Sequence, residues 1–274
     1  MSGALIFDCD GVVVDVETTR HRQAFNQVWR EDGVDWQWGE SDYARTLVVS
    51  GGRERLRLLY EDPRFRAVFD VPANPDEWDR LVASWHRRKT RIYTEMVRAG
   101  VTCRSGIRRL AAEAIAEGWR LAVASSGARQ SVTAVLRAAL PPEVVAELTV
   151  ITGEQVARKK PDPGVYLLAA QELGVRNEEC VVVEDTCNGM HAAAGAGMTC
   201  VVTPTAVNFH DDFYRAALVV TGLGEPGGPP EVAIGGRCWL RARAWLSLDD
   251  LAELAHLDTR FRSNGLARAG GGRT

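Results

Sequence analysis

Short apolar runs rich in β-branched residues recur along the chain, and several of them stop at a carboxylate or a hydroxyl. Ala4 to Phe7 precedes Asp8, Leu121 to Ala124 precedes Ser125, and Val181 to Val183 precedes Glu184 and Asp185. Runs this short and this apolar predict strands buried on both faces. Thr149 to Ile151 and Cys200 to Thr203 complete the set. Between them the apolar positions fall at helical spacing over Gly106 to Glu117, Ala128 to Ala139 and Gly164 to Leu173. Strand and helix in alternation build an α/β fold, a parallel sheet flanked by helices, and such sheets bind ligands beyond the carboxyl ends of their strands. The polar residues that end the runs fall at that edge.

Thr18 to Val97 breaks the alternation, with helical periodicity, no strand pattern and the tryptophans Trp29, Trp36, Trp38, Trp78 and Trp85. This reads as an inserted helical domain, residues 18–97, dividing a core made of residues 1–17 and 98–221. An insertion directly after the first strand sits above the strand ends, where it can act as a lid, and its tryptophans read as its own core. Residues 222–274 form a C-terminal extension to which no function is assigned: Gly222 to Pro230 is rich in Gly and Pro, Leu246 to Leu257 is briefly amphipathic, and the Gly/Arg-rich Ser263 to Thr274 is expected to lack structure.

Composition narrows the class. The chain has 274 residues, 46% apolar and 25% charged, as a globular protein has. Its 33 basic and 36 acidic side chains leave a net charge of -3, so charge makes no case for a nucleic-acid or membrane partner. No stretch approaches the roughly 18 apolar residues of a spanning helix, and no basic-then-apolar leader precedes Ala4. The six cysteines form no CxxC pair, which argues against a disulfide framework or a zinc site. The expected compartment is reducing: the cytoplasm, or the plastid stroma if a transit peptide has been removed.

Asp8 and Asp10 stand two apart at the end of an extended run, so their side chains project the same way, and Gly11 lets the backbone turn at once. Asp8 is the candidate nucleophile toward a phosphoryl group and Asp10 the acid/base beside it. Facing carboxylates repel a phosphate unless a cation intervenes, and Glu184 and Asp185 add more oxygen ligands of the kind that suits Mg2+. Lys160, before Pro161, supplies a fixed positive charge. Ser125 lies between a strand and a helix, where a hydroxyl and free N–H groups make an anion pocket, with Ser126 nearly as good a candidate.

Asp8-Cys9-Asp10-Gly11, Ser125, Lys160-Pro161 and Glu184-Asp185, in that order, resemble the four motifs of the haloacid dehalogenase superfamily. The resemblance runs from about Ala4 to Thr203. It implies a Rossmann-like core with a helical cap, a nucleophilic and metal-binding Asp8, an acid/base Asp10 whose carbonyl also binds Mg2+, and metal ligands at Asp185 and Glu184. An Asp two positions after the nucleophile is similar to the phosphatases and phosphomutases of the superfamily. Within residues 18–97 and just before them, Glu17 to Asn26, Tyr43, Gly51 to Arg55 and His86 to Thr90 look like the CbbY-type branch. That branch implies a sugar-bisphosphate phosphatase acting on xylulose 1,5-bisphosphate, with a functional rather than physical link to Rubisco, and a monomer.

A bisphosphate needs a second anion site. Arg53, Arg55, His86 and Lys89 are the candidates for it, Gly51 and Gly52 would bring backbone N–H groups close, and Glu17, with Tyr43, would meet the sugar. The alternatives are a β-phosphoglucomutase-like phosphomutase and a phosphatase for another small sugar phosphate.

Overall fold

The computed structural model describes residues 3–238 and 245–270. Among these described residues seven strands form one sheet in the order β3-β2-β1-β4-β5-β6-β7. They are β1 (Ala4–Phe7), β2 (Arg120–Ser125), β3 (Leu148–Thr152), β4 (Cys180–Glu184), β5 (Thr199–Val202), β6 (Leu218–Val220) and β7 (Ala233–Gly235). All neighbours pair in parallel except β6 and β7. The five strands expected from the sequence are present; β6 and the antiparallel edge strand β7 were not anticipated. β7 lies beyond the point where the sequence turns rich in Gly and Pro, and its three residues carry no strand pattern of their own. Phe7 is in register with Val123 on one side and Val183 on the other. The residues that follow, Asp8, Ser125 and Glu184, therefore reach the same edge.

The helices are α1 (Arg22–Glu31), α2 (Glu40–Thr46), α3 (Gly52–Leu58), α4 (Pro63–Arg66), α5 (Pro75–Arg98), α6 (Ile107–Ala116), α7 (Arg129–Ala139), α8 (Pro142–Glu147), α9 (Gly164–Leu173), α10 (Cys187–Gly195) and α11 (Leu248–Gly270), with a turn of π-helix, Glu17–His21, leading into α1. Strand alternation sends Leu5, Phe7, Val181, Val183 and Val201 to the face covered by α6, α7 and α11. Ala4, Ile6, Val182, Cys200 and Val202 go to the face covered by α9 and α10.

Every element from Glu17 to Arg98 is helical. The tryptophans pack this layer, as the sequence implied: Trp29 meets Trp38 edge-on at 4.8 Å and Trp85 at 6.4 Å, and Phe25 meets Trp38 at 5.0 Å. Asn74 caps the 24-residue α5 with Pro75 in its first turn, the pairing that starts a helix sharply. Its other end packs against α7, so α5 ties the helical layer to the sheet.

Helix α11 is longer than the pattern from Leu246 to Leu257 predicted. It enters the stretch expected to lack structure and continues to Gly270, while residues 271–274 of that stretch lie outside the described residues. Leu248, Leu251 and Leu254 are buried on the sheet. Asp258, fully buried, pairs with Arg237 at 2.7 Å and Arg262 at 3.3 Å. All six cysteines are free, and no helix among the described residues is long and apolar enough to cross a membrane. Removing one partner of a buried pair strands the others, so Asp258→Ala should lower stability by about 3 kcal/mol. Urea denaturation followed by tryptophan fluorescence checks this; an unchanged midpoint would mean that α11 is held by its leucines alone.

Candidate active site

Asp8 follows β1, and its N–H bonds Val183 O at 2.9 Å. The side chain is 8% exposed and accepts a hydrogen bond from Lys160 Nζ. The same ammonium donates to Glu184 Oε1 at 2.6 Å and to Ala124 O at 2.9 Å. Glu184 is saturated: Oε1 also accepts from Tyr166 at 2.6 Å, and Oε2 from the N–H groups of Asp185 and Thr186 and from the Thr186 hydroxyl. One ammonium thus faces two buried carboxylates. Burial opposes the Lys160 charge, but Asp8 and Glu184 hold its pKa above the ordinary value. Burial also opposes the Glu184 charge, yet Lys160 keeps its carboxyl below the usual range. Burial, with Glu184 adding to it, pushes Asp8 up to about 8 despite Lys160.

Asp10 turns to the same edge but meets the helical layer. Its Oδ1 accepts from the Tyr93 hydroxyl at 2.9 Å and lies 3.2 Å from His21 Nε2. The His21 ring stacks on Tyr93 at 3.8 Å and Lys89 Nζ meets its Nδ1, while its buried Nε2, beside Asp10, has no hydrogen-bond partner among the described residues. Glu17, on the same π-helical turn, accepts from the Tyr43 hydroxyl at 2.8 Å and from Arg55. Burial opposes the Glu17 charge, but Arg55, and after it His21 and Lys89, hold it well below the carboxylate range.

Asp185 stands apart from these networks. It is buried, its Oδ2 lies 3.5 Å from Asn208 Nδ2, and its Oδ1 has no hydrogen-bond partner. Burial, with Glu184 and Asp8 adding repulsion, pushes its carboxyl well up. Gly11, at φ +89, makes room: a Cβ there would lie 2.0 Å from Asp185 Oδ2. Asp8, Glu184 and Asp185 bring carboxylate oxygens within 4.8 Å of one another. An orphaned oxygen in such a group is what a hard cation would satisfy, so the residues fit Mg2+. Glu184 offers it no free oxygen; its lone pairs are taken, and it acts on Lys160 and the following turn.

Asp8, Asp10, Glu17, His21, Lys160 and Asp185 line a cavity of about 330 Å³, together with Ser125, Ser126, Gly51, Gly52, Arg55, His86, Lys89 and Lys159, whereas Glu184 and Tyr43 stand behind its wall. Ser125 Oγ accepts from Gly127 N at 3.0 Å, whereas the buried Ser126 Oγ has no partner. Arg53, expected at the second anion, does not line the cavity. Arg55 lines it but is committed to Glu17. Burial, with Lys89 and Lys159, lowers His86 to about 4, so the ring is neutral at pH 7. Tyr93, Tyr166 and Asn208 were not anticipated. The first two read as core aromatics, and Asn208, whose Nδ2 also holds Asp185 O at 2.7 Å, lies in a loop without a motif.

A family model for haloacid dehalogenase-like hydrolases matches residues 3–197. The chain belongs to this family. It is 38% identical to protein CbbY of Cupriavidus necator over 255 residues, 92% of this chain and 96% of that one. It is also 35% identical to a CBBY-like protein of Arabidopsis thaliana, over 82% of this chain and 70% of the relative. The crystal structure of CbbY from Rhodobacter sphaeroides with phosphate superposes at a TM-score of 0.70 and 36% identity, covering 81% of this chain and 95% of that one. A mutant of that CbbY in complex with xylulose-(1,5)bisphosphate is 35% identical at the same TM-score and coverage. A β-phosphoglucomutase of Clostridium difficile, 18% identical at a TM-score of 0.66 over 95% of this chain and all of that one, shares the fold.

The raised Asp185 carboxyl sets a sign for stability. A carboxyl whose folded pKa exceeds its unfolded value stabilises the fold while protonated, and that stability is lost as pH rises from the unfolded pKa through the folded one. In EDTA, Asp185→Asn should therefore melt higher than the parent at pH 8, by roughly 2–4 °C for each kcal/mol relieved, with a smaller difference at pH 5. Mg2+ should raise Tm for the parent and not for the variant. Equal melting of the two proteins at both pH values would show that Asp185 carries no buried charge.

Proposed function

We propose that the protein is a Mg2+-dependent phosphatase of a ketose bisphosphate, with xylulose 1,5-bisphosphate as substrate, and that residues 18–97 are its cap. The observation that carries the chemistry is the pair of unlike carboxylates at one strand end. Asp8 is fixed by Lys160 and faces the cavity, while Asp10, two residues on, is held by Tyr93 and flanked by His21. The substrate assignment leans on the likeness to CbbY, including the mutant structure with xylulose-(1,5)bisphosphate.

In this reading Asp8 attacks phosphorus, and the bond from phosphorus to the sugar oxygen breaks as Asp10 gives that oxygen its proton. The sugar leaves with one phosphate fewer, and Asp8 carries an aspartyl phosphate. Asp10, now ionised, takes a proton from water; the hydroxyl adds to phosphorus and the Asp8 carboxylate departs. Asp8, Asp185 and the Asp10 carbonyl would hold Mg2+, which when bound neutralises the repulsion between carboxylates and phosphate. Lys160 keeps Asp8 oriented, and the Ser125 and Ser126 hydroxyls, with the N–H groups starting α7, face the phosphate. Glu17, held by Tyr43 and Arg55, presents its carboxylate to the sugar hydroxyls.

The deciding assay is Mg2+-dependent phosphate release from xylulose 1,5-bisphosphate, ribulose 1,5-bisphosphate, fructose 1,6-bisphosphate and β-glucose 1-phosphate. Xylulose bisphosphate should lead in kcat/KM; isomerisation of glucose phosphate without phosphate release would instead identify a phosphomutase. Asp8→Asn should lose about a thousandfold or more in kcat, and retained turnover would remove the nucleophile. Tyr93→Phe, which deletes one hydrogen bond to a charged group, should lower kcat about tenfold with KM little changed; a KM effect alone would place Tyr93 in substrate binding.

A further inference from the structure

Two consecutive lysines serve different ends of the cavity. Lys160 turns inward to Asp8 and Glu184. Lys159 reaches the other way, lines the cavity and donates to Glu54 Oε2, on α3, at 2.7 Å. Its stem lies in a slot between two glycines from different layers. A Cβ on Gly51 would lie 2.5 Å from Lys159 Nζ and 2.9 Å from its Cδ, and a Cβ on Gly153 would lie 3.1 Å from its Cε. A side chain at either position would crowd the lysine, although it would first meet the Glu54 carboxylate at 2.3 Å from Gly51 and the Ser126 carbonyl at 2.6 Å from Gly153.

The other cavity cations are spent. Arg55 is bound to Glu17 and Tyr43, and Lys89 meets His21 and lies over the rings of Phe25 and Tyr93, at 4.8 and 5.0 Å. His86 is neutral, and Arg53 does not reach the cavity. Lys159 differs from them. Its carboxylate partner Glu54 is not among the residues lining the cavity, whereas His21, which Lys89 meets, and Glu17, which holds Arg55, both line it.

We propose that Lys159 binds the second phosphate of the substrate, with Glu54 as the positioning residue that holds its ammonium against the cap side of the cavity. This rests on the bisphosphate reading above and names the residue that distinguishes a bisphosphate from a monophosphate. Because Lys159 follows the sheet and Glu54 belongs to the helical layer, an anion on Lys159 also adds a contact at the seam between them.

The test uses the full chain with Mg2+ and compares kcat/KM for xylulose 1,5-bisphosphate and xylulose 1-phosphate, which share the scissile bond. Lys159→Met should lower the bisphosphate-to-monophosphate ratio about tenfold or more, carried in KM. Lys159→Arg, which keeps the charge, should recover most of it. Glu54→Gln should lower the ratio less than Lys159→Met, and Arg53→Ala should leave it unchanged. If Lys159→Met and Glu54→Gln depress both substrates by one common factor, the pair is only a clasp and the proposal is wrong. A selective loss in Arg53→Ala would also overturn it. Should Lys159→Met fail to fold, Lys159→Gln and Lys159→Arg read the same ratio. A parent enzyme with no preference for the bisphosphate would instead reject the substrate reading itself, a result visible before any variant is made.

Discussion

The site depends on one buried ammonium. Lys160 is the positive charge between Asp8 and Glu184, and without it two desolvated carboxylates would face each other across a strand end. Both are deep enough that water cannot screen them, so the pair and the lysine stand or fall together. Glu184 then makes a second use of the same burial. Its other oxygen gathers the N–H groups of Asp185 and Thr186, which shapes the turn and brings Asp185 to face Asp8. Arg104 fastens the opposite turn, donating to Gly11 O and Thr203 O. The loops after β1, β4 and β5 are thus one bonded unit, and the geometry is preorganised rather than assembled by ligand.

The helical layer completes what the sheet leaves open. Tyr93 comes from α5 and His21 from the turn before α1, yet both meet Asp10. Further bonds cross the seam, Lys159 to Glu54 and Asn188 Nδ2 to Val48 O at 2.9 Å and Ser50 Oγ at 3.3 Å. Any rotation of the layer away from the sheet must break these contacts together. That couples the environment of Asp10 to closure: with the layer withdrawn, the carboxylate would lose its hydrogen-bond donor and meet water.

The parts legible in the sequence share one property: their signal is local. Asp8, Ser125, Lys160 and Glu184 each sit at the end of an apolar run or beside a proline, so short-range pattern places them at one edge. Asp10 follows from its spacing to Asp8. The tryptophans read correctly as a core, Trp29, Trp78 and Trp85 from helical faces and Trp36 and Trp38 from the segment between α1 and α2. What failed to show was side chains whose partner is distant in sequence. Tyr93 is 83 residues from Asp10, and nothing in its helix separates it from a core aromatic. Arg53 and Arg55 are equivalent as sequence, and only tertiary packing sends one into the cavity and leaves the other out. Lys159 carries no local signal because Glu54 and Gly51, which it meets, lie about 100 residues before it. Helix α11 ran past its amphipathic pattern into a stretch whose glycines weaken it locally, a case where a helix already anchored on the sheet continues despite poor propensity.

The two carboxylates of the proposed mechanism are alike in sequence and made unlike by their surroundings. Asp8 is held by a lysine that remains charged and that fixes its orientation toward the cavity. Asp10 is less buried and has no cation bonded to it directly; its neighbours are a hydroxyl and an imidazole, which tolerate either protonation state. A group that must give a proton in one half-reaction and take one in the next needs that tolerance, whereas a nucleophile needs a fixed orientation. The division of labour therefore follows from what each carboxylate touches. That proposed division depends on Lys160 staying under Asp8 and on the helical layer keeping Tyr93 over Asp10.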